Sequence, residues 1–285
     1  MAGADSAWAG ALVAPEKERE SKPRKTGITM VIDKGLGLAA TRDLMEAAAP
    51  YIDFHKLGFG TSLLYGGALL KEKIRLIRSF GVEVYPGGTL LELAGAAGRV
   101  EAFLERAREL GFTAVEVSEG TLDVSPAERA RRIRLAKEAG FAVVTEVGKK
   151  ARGLRLDPAA VAAAVEADLA LGAQYVIVEG RDSGSGVGVY DDRGDPIPAL
   201  VEEILAQVSQ RERLIWEAPL DRQQKFWLKR LGCNASLGNV QPPDVLALEA
   251  MRQGLRGDTL KEALERAGPL FGAGVEDRAG FCRKP

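Results

Sequence analysis

Ala142-Val143-Val144-Thr145-Glu146-Val147-Gly148-Lys149-Lys150 is an apolar run that ends abruptly in one carboxylate and two ammonium groups. Two later runs, residues 175–181 and 214–219, also end in a glutamate followed by turn residues. Short β-branched runs bounded by turn residues are typical of buried strands, and each interval between the three runs is long enough for one helix. The three runs therefore predict a βαβαβ unit.

The three predicted strands carry Glu146, Glu179 and Glu217 near their carboxyl ends. In a parallel β/α fold these strand ends meet at one face, so the three side chains are expected to point into one site. Burying three carboxylates together is costly through desolvation and mutual repulsion, and a cation would relieve that cost. Convergent carboxylates with lysines nearby therefore indicate a hard divalent cation and an anionic substrate.

The same alternation of strand and helix extends along the chain from Gly27. Further strands are predicted at residues 28–32, 52–57, 82–85, 114–117 and 235–240. Helices are predicted at residues 42–49, 68–80, 100–110, 126–139, 158–171, 197–208, 222–231 and 244–253. Thr41 and Ser125 are the expected N-caps of the first and fourth of these helices. Eight β/α units at an interval of about thirty residues are what a barrel of about 250 residues requires.

We therefore predict an α/β fold, a single (β/α)8 TIM barrel over residues 27–257. A mobile or loosely docked arm, residues 1–26, precedes the barrel, and a tail of unassigned structure, residues 258–285, follows it. A doubly wound sheet is disfavoured, because the turn after the first strand lacks the glycine spacing of a dinucleotide fingerprint. The 285 residues, 46% of them hydrophobic, suffice for one large α/β domain.

Composition also limits the possible partners. With 39 basic and 40 acidic residues, the chain offers no global electrostatic attraction for nucleic acid or for an anionic membrane surface. No run approaches the roughly 20 apolar residues of a membrane-spanning helix. Cys233 and Cys282 form neither a disulfide framework nor a metal-binding spacing, so we expect a soluble protein of the reducing cytoplasm. Homo-oligomers are possible, since barrels often associate through helix faces.

The ligand types narrow the choice of metal and of acid–base groups. His55 is the one histidine, and strand alternation turns it away from the lumen if Lys56 faces inward, which favours a structural role. Oxygen ligands without a second histidine favour Mg²⁺ or Mn²⁺ over zinc or iron. Proton transfer then falls to lysine, acidic or tyrosine side chains. Lys149 and Lys150 are the natural donors, because a neighbouring ammonium lowers the pKa of a lysine.

Phosphate recognition is predicted at two loops. The segment after the sixth strand, with Arg181, Ser183 and Gly184, has the composition of a flexible lid that closes over phosphate, although a plain surface loop explains it equally well. Gly238 and Asn239, after the eighth strand, fit the phosphate cradle of barrel enzymes. Arg256 is a candidate second guanidinium. The polar residues at the predicted strand ends are Asp33, Lys34, Lys56, Tyr85, Glu116, Ser118, Glu146, Lys149, Lys150, Glu179, Arg181, Glu217 and Asn239.

Seven strings in order along the chain resemble those of the phosphosulfolactate synthase family. They occupy residues 29–35, 56–62, 85–89, 145–150, 178–181, 216–219 and 254–258. The resemblance implies a (β/α)8 barrel and a carbon–sulfur lyase that adds sulfite to phosphoenolpyruvate with Mg²⁺, giving (2R)-phospho-3-sulfolactate. In methanogens this family opens coenzyme M biosynthesis, in spore-forming bacteria it leads to sulfolactate, and a plant branch is linked to heat tolerance.

The resemblance also implies roles for the candidate residues. A subset of Glu146, Glu179 and Glu217 would hold Mg²⁺. Lys34, Lys56 and Arg181 would attract and orient the two anions, and Lys149 or Lys150 would protonate C2, because the family uses a lysine as that acid. Two alternatives remain open: a Schiff-base aldolase that uses Lys56, Lys149 or Lys150, and a non-catalytic, stress-related barrel.

Overall fold

The computed structural model describes residues 7–8, 11–149 and 156–268. In this part of the chain, strands alternate with helices from Thr29 onward. The strands are Thr29–Asp33 (β1), Phe54–Leu57 (β2), Glu83–Pro86 (β3), Ala114–Val117 (β4), Ala142–Val147 (β5), Tyr175–Val178 (β6), Leu214–Glu217 (β7) and Leu237–Val240 (β8). The α-helices are Leu38–Ala48 (α1), Gly67–Ser79 (α2), Thr89–Ala96 (α3), Val100–Leu110 (α4), Pro126–Glu138 (α5), Pro158–Leu171 (α6), Pro198–Gln207 (α7), Asp221–Leu231 (α8), Val245–Arg252 (α9) and Leu260–Ala267 (α10).

The strands form one parallel sheet in the order β3-β2-β1-β8-β7-β6-β5-β4. Its two outer strands, β3 and β4, meet where the Thr113 amide donates to the Val84 carbonyl at 3.0 Å and the Val84 amide donates to the Thr113 hydroxyl at 3.0 Å. These bonds bring the edges of the sheet together. The prediction of a single (β/α)8 barrel is therefore confirmed.

Alternation along the strands divides the core into two layers. One face of each strand points into the lumen, where Phe54 makes edge-to-face contacts with Tyr85 and Tyr175 at centroid distances of 6.2 and 6.0 Å. The other face packs against the helices, where Trp216 of β7 stacks on Trp227 of α8 at 4.0 Å. Burying a large apolar side chain contributes about 1.5–3 kcal/mol. The barrel is thus filled on both sides of its wall.

Most predicted elements lie within a few residues of their observed bounds. The differences are the start of α1 and the presence of two helices that were not predicted. The helix α1 begins at Leu38, so the expectation that Thr41 is its N-cap is wrong, and the Thr41 hydroxyl instead donates to the Gly37 carbonyl at 2.9 Å. Leucine and alanine at its start are good helix formers, which explains the earlier start. Ser125 does cap α5, since its hydroxyl accepts from the Glu128 amide at 3.2 Å. Helices α3 and α10 are additional to those predicted.

The described part of the N-terminal arm contacts the barrel at the amino-terminal ends of its strands. The Arg19 guanidinium lies 3.0 Å from the Glu249 carboxylate of α9, and both side chains are only 5% exposed. Lys22 donates to the carbonyls of Ala49 and Ile52 at 3.2 and 2.6 Å. These contacts close the amino-terminal end of the barrel. Residues 1–6 and 9–10 lie outside the described part of the chain.

The predicted tail begins with an ordered helix. Asp258 pairs with Lys225 of α8 at 2.8 Å, and Ala263 of α10 is buried. This part of the tail therefore packs beside α8. Residues 269–285 lie outside the described part of the chain. Within the described residues, no helix is both long and apolar enough to cross a membrane.

The buried Arg19–Glu249 pair yields a test of the anchored arm. Replacing Arg19 by methionine leaves the Glu249 carboxylate buried without its guanidinium, so we expect the free energy of unfolding in urea to fall by about 3–5 kcal/mol. The matched control is Arg230→Met, which breaks an exposed pair with Glu202 and is expected to have little effect. Equal losses in the two variants would contradict a firmly docked arm.

Candidate functional site

A pocket of about 330 Å³ opens at the carboxyl ends of the strands. Its floor carries Lys56 from β2, Glu116 from β4 and Glu217 from β7. Its rim carries Phe59, Arg181 and Asp182 from the loops after β2 and β6. Because this is the face at which barrel enzymes place their reactive groups, we consider it the candidate site.

The structure brings Glu146, Glu179 and Glu217 together, as the strand alternation predicts. Each offers one carboxylate oxygen, these atoms all lie within 4.8 Å of one another, and all three residues are at most 2% exposed. Backbone amides orient two of them: the Gly180 amide donates to Glu217 at 3.0 Å and the Arg181 amide donates to Glu179 at 2.7 Å. The cluster is therefore pre-organised within the folded barrel.

The ammonium group of Lys56 lies among the carboxylates. Its Nζ is 2.9 Å from Glu116, 3.4 Å from Glu217 and 3.6 Å from Glu146. Burial opposes the charged form of the lysine, but the three carboxylates outweigh burial and hold the pKa of Lys56 well above its ordinary value. Lys56 consequently stays protonated and offsets part of the negative charge of the site.

The donor set of the cluster fits a hard divalent cation. Glu146, Glu179 and Glu217 offer oxygen only, and such ligands suit Mg²⁺ or Mn²⁺. His55 lies outside the pocket lining, and its Nε2 atom is 3.0 Å from Asp33. Within the described residues, no histidine or cysteine therefore joins the carboxylates, so the ligand chemistry matches magnesium better than zinc.

Lys149, the first of the two lysines that follow β5, does not point into the pocket. The Lys149 ammonium donates to the Glu119 carbonyl at 2.8 Å and pairs with Asp123 at 3.0 Å, so the structure does not bring Lys149 to the carboxylate cluster. The strand ends at Val147, and Gly148 has a φ of +114°, which breaks the strand alternation at this point. Strand alternation from Glu146 therefore ends at this glycine, and Lys150 lies outside the described residues.

Arg181 lines the pocket, whereas Lys34 is outside the lining and contacts two lining residues, Phe59 and Asp182. Lys34 is about two-fifths exposed, and its Nζ lies 3.5 Å from Asp182 and 5.7 Å from the centroid of the Phe59 ring. Arg181 lines the pocket with a φ of +60°. The roles predicted for the two cations in binding anions stay predictions.

The loop after β6 is not the flexible lid that its glycine and serine content suggested. Gln223 of α8 donates to the carbonyls of Gly184 and Gly194 at 2.7 and 2.9 Å, and Tyr190 is buried. The Tyr190 hydroxyl also donates to the Glu217 carbonyl at 2.6 Å, which ties the loop to β7. Ser183 is exposed and lies outside the pocket lining. Gly184 is likewise absent from the lining, because its backbone is engaged by Gln223.

The phosphate cradle predicted at Gly238 and Asn239, which lie within β8, is only half realised. A Cβ atom at Gly238 would lie 2.5 Å from the Met30 side chain, so this glycine makes room in the lumen and does not line the pocket. Asn239 does line it, is 3% exposed and has a φ of +53°. Its Oδ1 atom is buried without a hydrogen-bond partner in the described part of the chain. Asn239 therefore remains a candidate ligand for a substrate.

Arg256 does not reach the pocket. Its guanidinium pairs at 2.5 Å with Asp221, the first residue of α8, and at 3.1 Å with Asp258, and it lies outside the pocket lining. The prediction that Arg256 binds substrate is therefore corrected: the residue attaches the start of the tail to the barrel. Its partner Asp221 lies 35 residues away in sequence, so no local pattern indicated the pair.

Glu116 and the turn after β3 contribute more than the sequence indicated. Glu116 appeared only among the polar strand ends, yet its carboxylate accepts from the Gly88 amide at 2.9 Å and binds Lys56. A Cβ atom at Gly88 would lie 2.2 Å from the Ser118 hydroxyl, so only glycine fits there. The available signal was alternation along β4: Glu116 follows the lumen residue Ala114 by two positions, as Glu146 follows Val144 on β5.

Asp33 supports the loop that carries Lys34, from outside the barrel wall. Its carboxylate accepts from the Leu36 amide at 2.7 Å, lies 2.6 Å from Lys73 of α2 and 3.0 Å from His55. Burial alone would raise the pKa of Asp33, but the hydrogen bonds from His55 and Lys73 outweigh burial and hold it well below its ordinary value. His55 thus has a structural role, as predicted.

Comparison with known proteins points to one family. A model of the (2R)-phospho-3-sulfolactate synthase family, ComA, matches residues 17–258. The phosphosulfolactate synthase of Methanothermobacter thermautotrophicus is 45% identical over 247 residues, which cover 85% of this chain and 94% of the relative. The phosphosulfolactate synthase of Bacillus subtilis is 36% identical over 243 residues, which cover 85% and 95%. The protein HEAT-STRESS-ASSOCIATED 32 of Arabidopsis thaliana is 23% identical over 265 residues, which cover 83% and 89%.

Solved structures support the fold. The YdjI aldolase from Escherichia coli K12 superposes with a TM-score of 0.52 and 14% identity, over 85% of this chain and 90% of that one. An identity this low carries information about the barrel alone.

The Asp33 network predicts a pH-dependent loss of stability. Because the folded-state pKa of Asp33 lies below its ordinary value of 3.8, its contribution is present above that value and is lost as the pH falls through the lower folded-state pKa. At pH 7 we expect Asp33→Asn to lower the free energy of unfolding by about 3–5 kcal/mol, because Lys73 loses its buried counter-ion. The difference from the wild-type protein should shrink below about pH 4.

Urea unfolding at several pH values measures this effect, with the exposed Asp43→Asn as the matched control. A difference between wild type and Asp33→Asn that stays constant between pH 7 and pH 3 would contradict the assignment of the charge network.

Proposed function

This chain belongs to the phosphosulfolactate synthase family, and we propose that it catalyses the Mg²⁺-dependent addition of sulfite to C3 of phosphoenolpyruvate. The product would be (2R)-2-phospho-3-sulfolactate, and the enzyme would be a carbon–sulfur lyase. The observation that carries the proposal is the convergence of Glu146, Glu179 and Glu217 on one buried point, beside the protonated Lys56.

In this proposal, Glu146, Glu179 and Glu217 hold the metal ion. When bound, Mg²⁺ would supply a Lewis acid for negative charge that develops on the substrate. The carboxylates come from three neighbouring parallel strands, so the barrel wall fixes their spacing before any ligand arrives. The buried position keeps bulk water away, which strengthens electrostatic interactions in the site.

Cationic side chains would reduce the repulsion between the two anionic substrates, phosphoenolpyruvate and sulfite. Lys34 and Arg181 at the mouth raise the local concentration of phosphoenolpyruvate and sulfite. Lys56 stays protonated because the neighbouring carboxylates raise its pKa, and from the pocket floor it would orient the negative groups of the substrates. Asn239 lines the pocket wall with a buried Oδ1 atom, an acceptor that would contact a cation or a protonated oxygen of a substrate.

The bond changes are balanced without a further reactant. The sulfur lone pair of sulfite forms the C–S bond at C3, the C2–C3 double bond moves its electrons toward the carboxylate, and C2 then takes up one proton. As the family resemblance implies, Lys149 or Lys150 would supply this proton; in the structure the Lys149 ammonium contacts Glu119 and Asp123. Both phosphate and sulfonate groups remain in the product.

The Schiff-base aldolase alternative is less well supported for Lys56. A Schiff base requires a neutral amine as nucleophile, whereas the three carboxylates hold the pKa of Lys56 well above its ordinary value. The same contacts that suit an electrostatic role therefore oppose a nucleophilic one.

The proposed activity is tested by phosphorus NMR of the purified protein with phosphoenolpyruvate, sulfite and Mg²⁺. We expect a new phosphoester signal that requires both sulfite and metal and that disappears when EDTA is added. Glu146→Gln removes one anionic oxygen from the cluster and should lower the rate about 100-fold or more.

The matched control is Glu203→Gln on the exposed side of α7, which should keep the wild-type rate. Intact phosphoenolpyruvate after incubation with sulfite and a series of divalent metals would refute the proposal.

A further inference from the structure

Three residues other than glycine have a positive φ in the described part of the chain, and all three line the candidate pocket. They are Phe59, Arg181 and Asn239, with φ values of 55°, 60° and 53°. Side chains with a Cβ atom rarely adopt this conformation, and such strain tends to collect at functional sites. Arg181 and Asn239 already have proposed roles. Phe59 has none.

The turn that holds Phe59 would be easier to form with another residue. The Thr61 amide donates to the Gly58 carbonyl at 3.0 Å, and the two central residues, Phe59 and Gly60, have φ values of 55° and 66°. Two successive positive φ values characterise a type I′ turn, which prefers asparagine or glycine at its first central position. A phenylalanine is therefore retained here against the preference of the backbone.

The turn places the Phe59 ring at the pocket mouth. The residue is 55% exposed although it is aromatic, so the described part of the protein gains little from burying it. The Lys34 ammonium lies 5.7 Å from the ring centroid, within the range of a cation–π contact. The ring thus touches a cation that the proposed reaction uses.

We propose that Phe59 is a substrate-contacting residue that covers the mouth of the pocket and holds Lys34 toward the bound anion. Its ligand class is a small unsaturated phosphorylated carboxylate, whose apolar methylene edge packs against the ring while its charged groups face Lys34 and the pocket floor. This inference rests on the proposed function, since the same substrate is assumed.

The test uses Phe59→Asn, which gives the Asn-Gly sequence that type I′ turns prefer. Removing the ring should raise the Kd of phosphoenolpyruvate, measured by calorimetry with Mg²⁺ and without sulfite, about tenfold. The thermal midpoint should stay at the wild-type value or rise, because the backbone strain is relieved. A purely structural role for Phe59 would instead lower the midpoint.

Two further variants complete the experiment. Phe59→Tyr keeps the ring and should restore wild-type affinity, and Leu64→Ala, an 82% exposed side chain after the same turn and outside the pocket lining, should not change it. The inference would be overturned if Phe59→Asn bound phosphoenolpyruvate with the wild-type Kd, or if its weaker binding came with a lower thermal midpoint. It would also be overturned if the wild-type protein bound no phosphoenolpyruvate. Binding without turnover would refute the proposed reaction alone and leave this test decisive.

Discussion

The structure of this site depends on one buried ammonium group surrounded by carboxylates. Lys56 contacts Glu116, Glu146 and Glu217 at distances of 2.9 to 3.6 Å, and all four side chains are at most 7% exposed. Burying so many like charges is unfavourable unless opposite charge is placed among them. Because the four side chains come from four different strands, the attraction can form only when the barrel closes. The site is therefore complete only in the folded barrel.

The surrounding residues mainly serve to hold this arrangement in place. Glycine at position 88 lets a backbone amide reach Glu116, and glycine at position 238 leaves space beside Met30 in the lumen. On the outer side of the wall, Asp33 fixes the loop that carries Lys34. The mouth of the pocket, in contrast, contains strained backbone and exposed cations. The site thus combines a rigid anionic floor with a cationic rim, an arrangement suited to a metal ion and anionic substrates.

The sequence predicts a feature well when the residues that determine it are close together in the chain, and poorly when they are far apart. Strand alternation is local, so the convergence of Glu146, Glu179 and Glu217 follows from the order of residues along each strand. The position of Lys149 could not be predicted in this way. Gly148, with a positive φ, ends the alternation after β5, and Asp123, the ion-pair partner of Lys149, lies on another loop. The order of the loop after β6 depends on Gln223 of α8, a contact across 39 residues. Composition alone therefore suggested a flexible lid.

Everything proposed for the chemistry requires that the three glutamates form a site for a divalent cation. Crystals soaked in Mn²⁺, which takes the same oxygen ligands as Mg²⁺, allow a direct measurement by anomalous diffraction at the manganese edge. We predict one strong peak among Glu146, Glu179 and Glu217, and its loss in Glu217→Gln. An ordered pocket without a peak at saturating Mn²⁺, or a peak bound elsewhere, would contradict the assignment of the metal site.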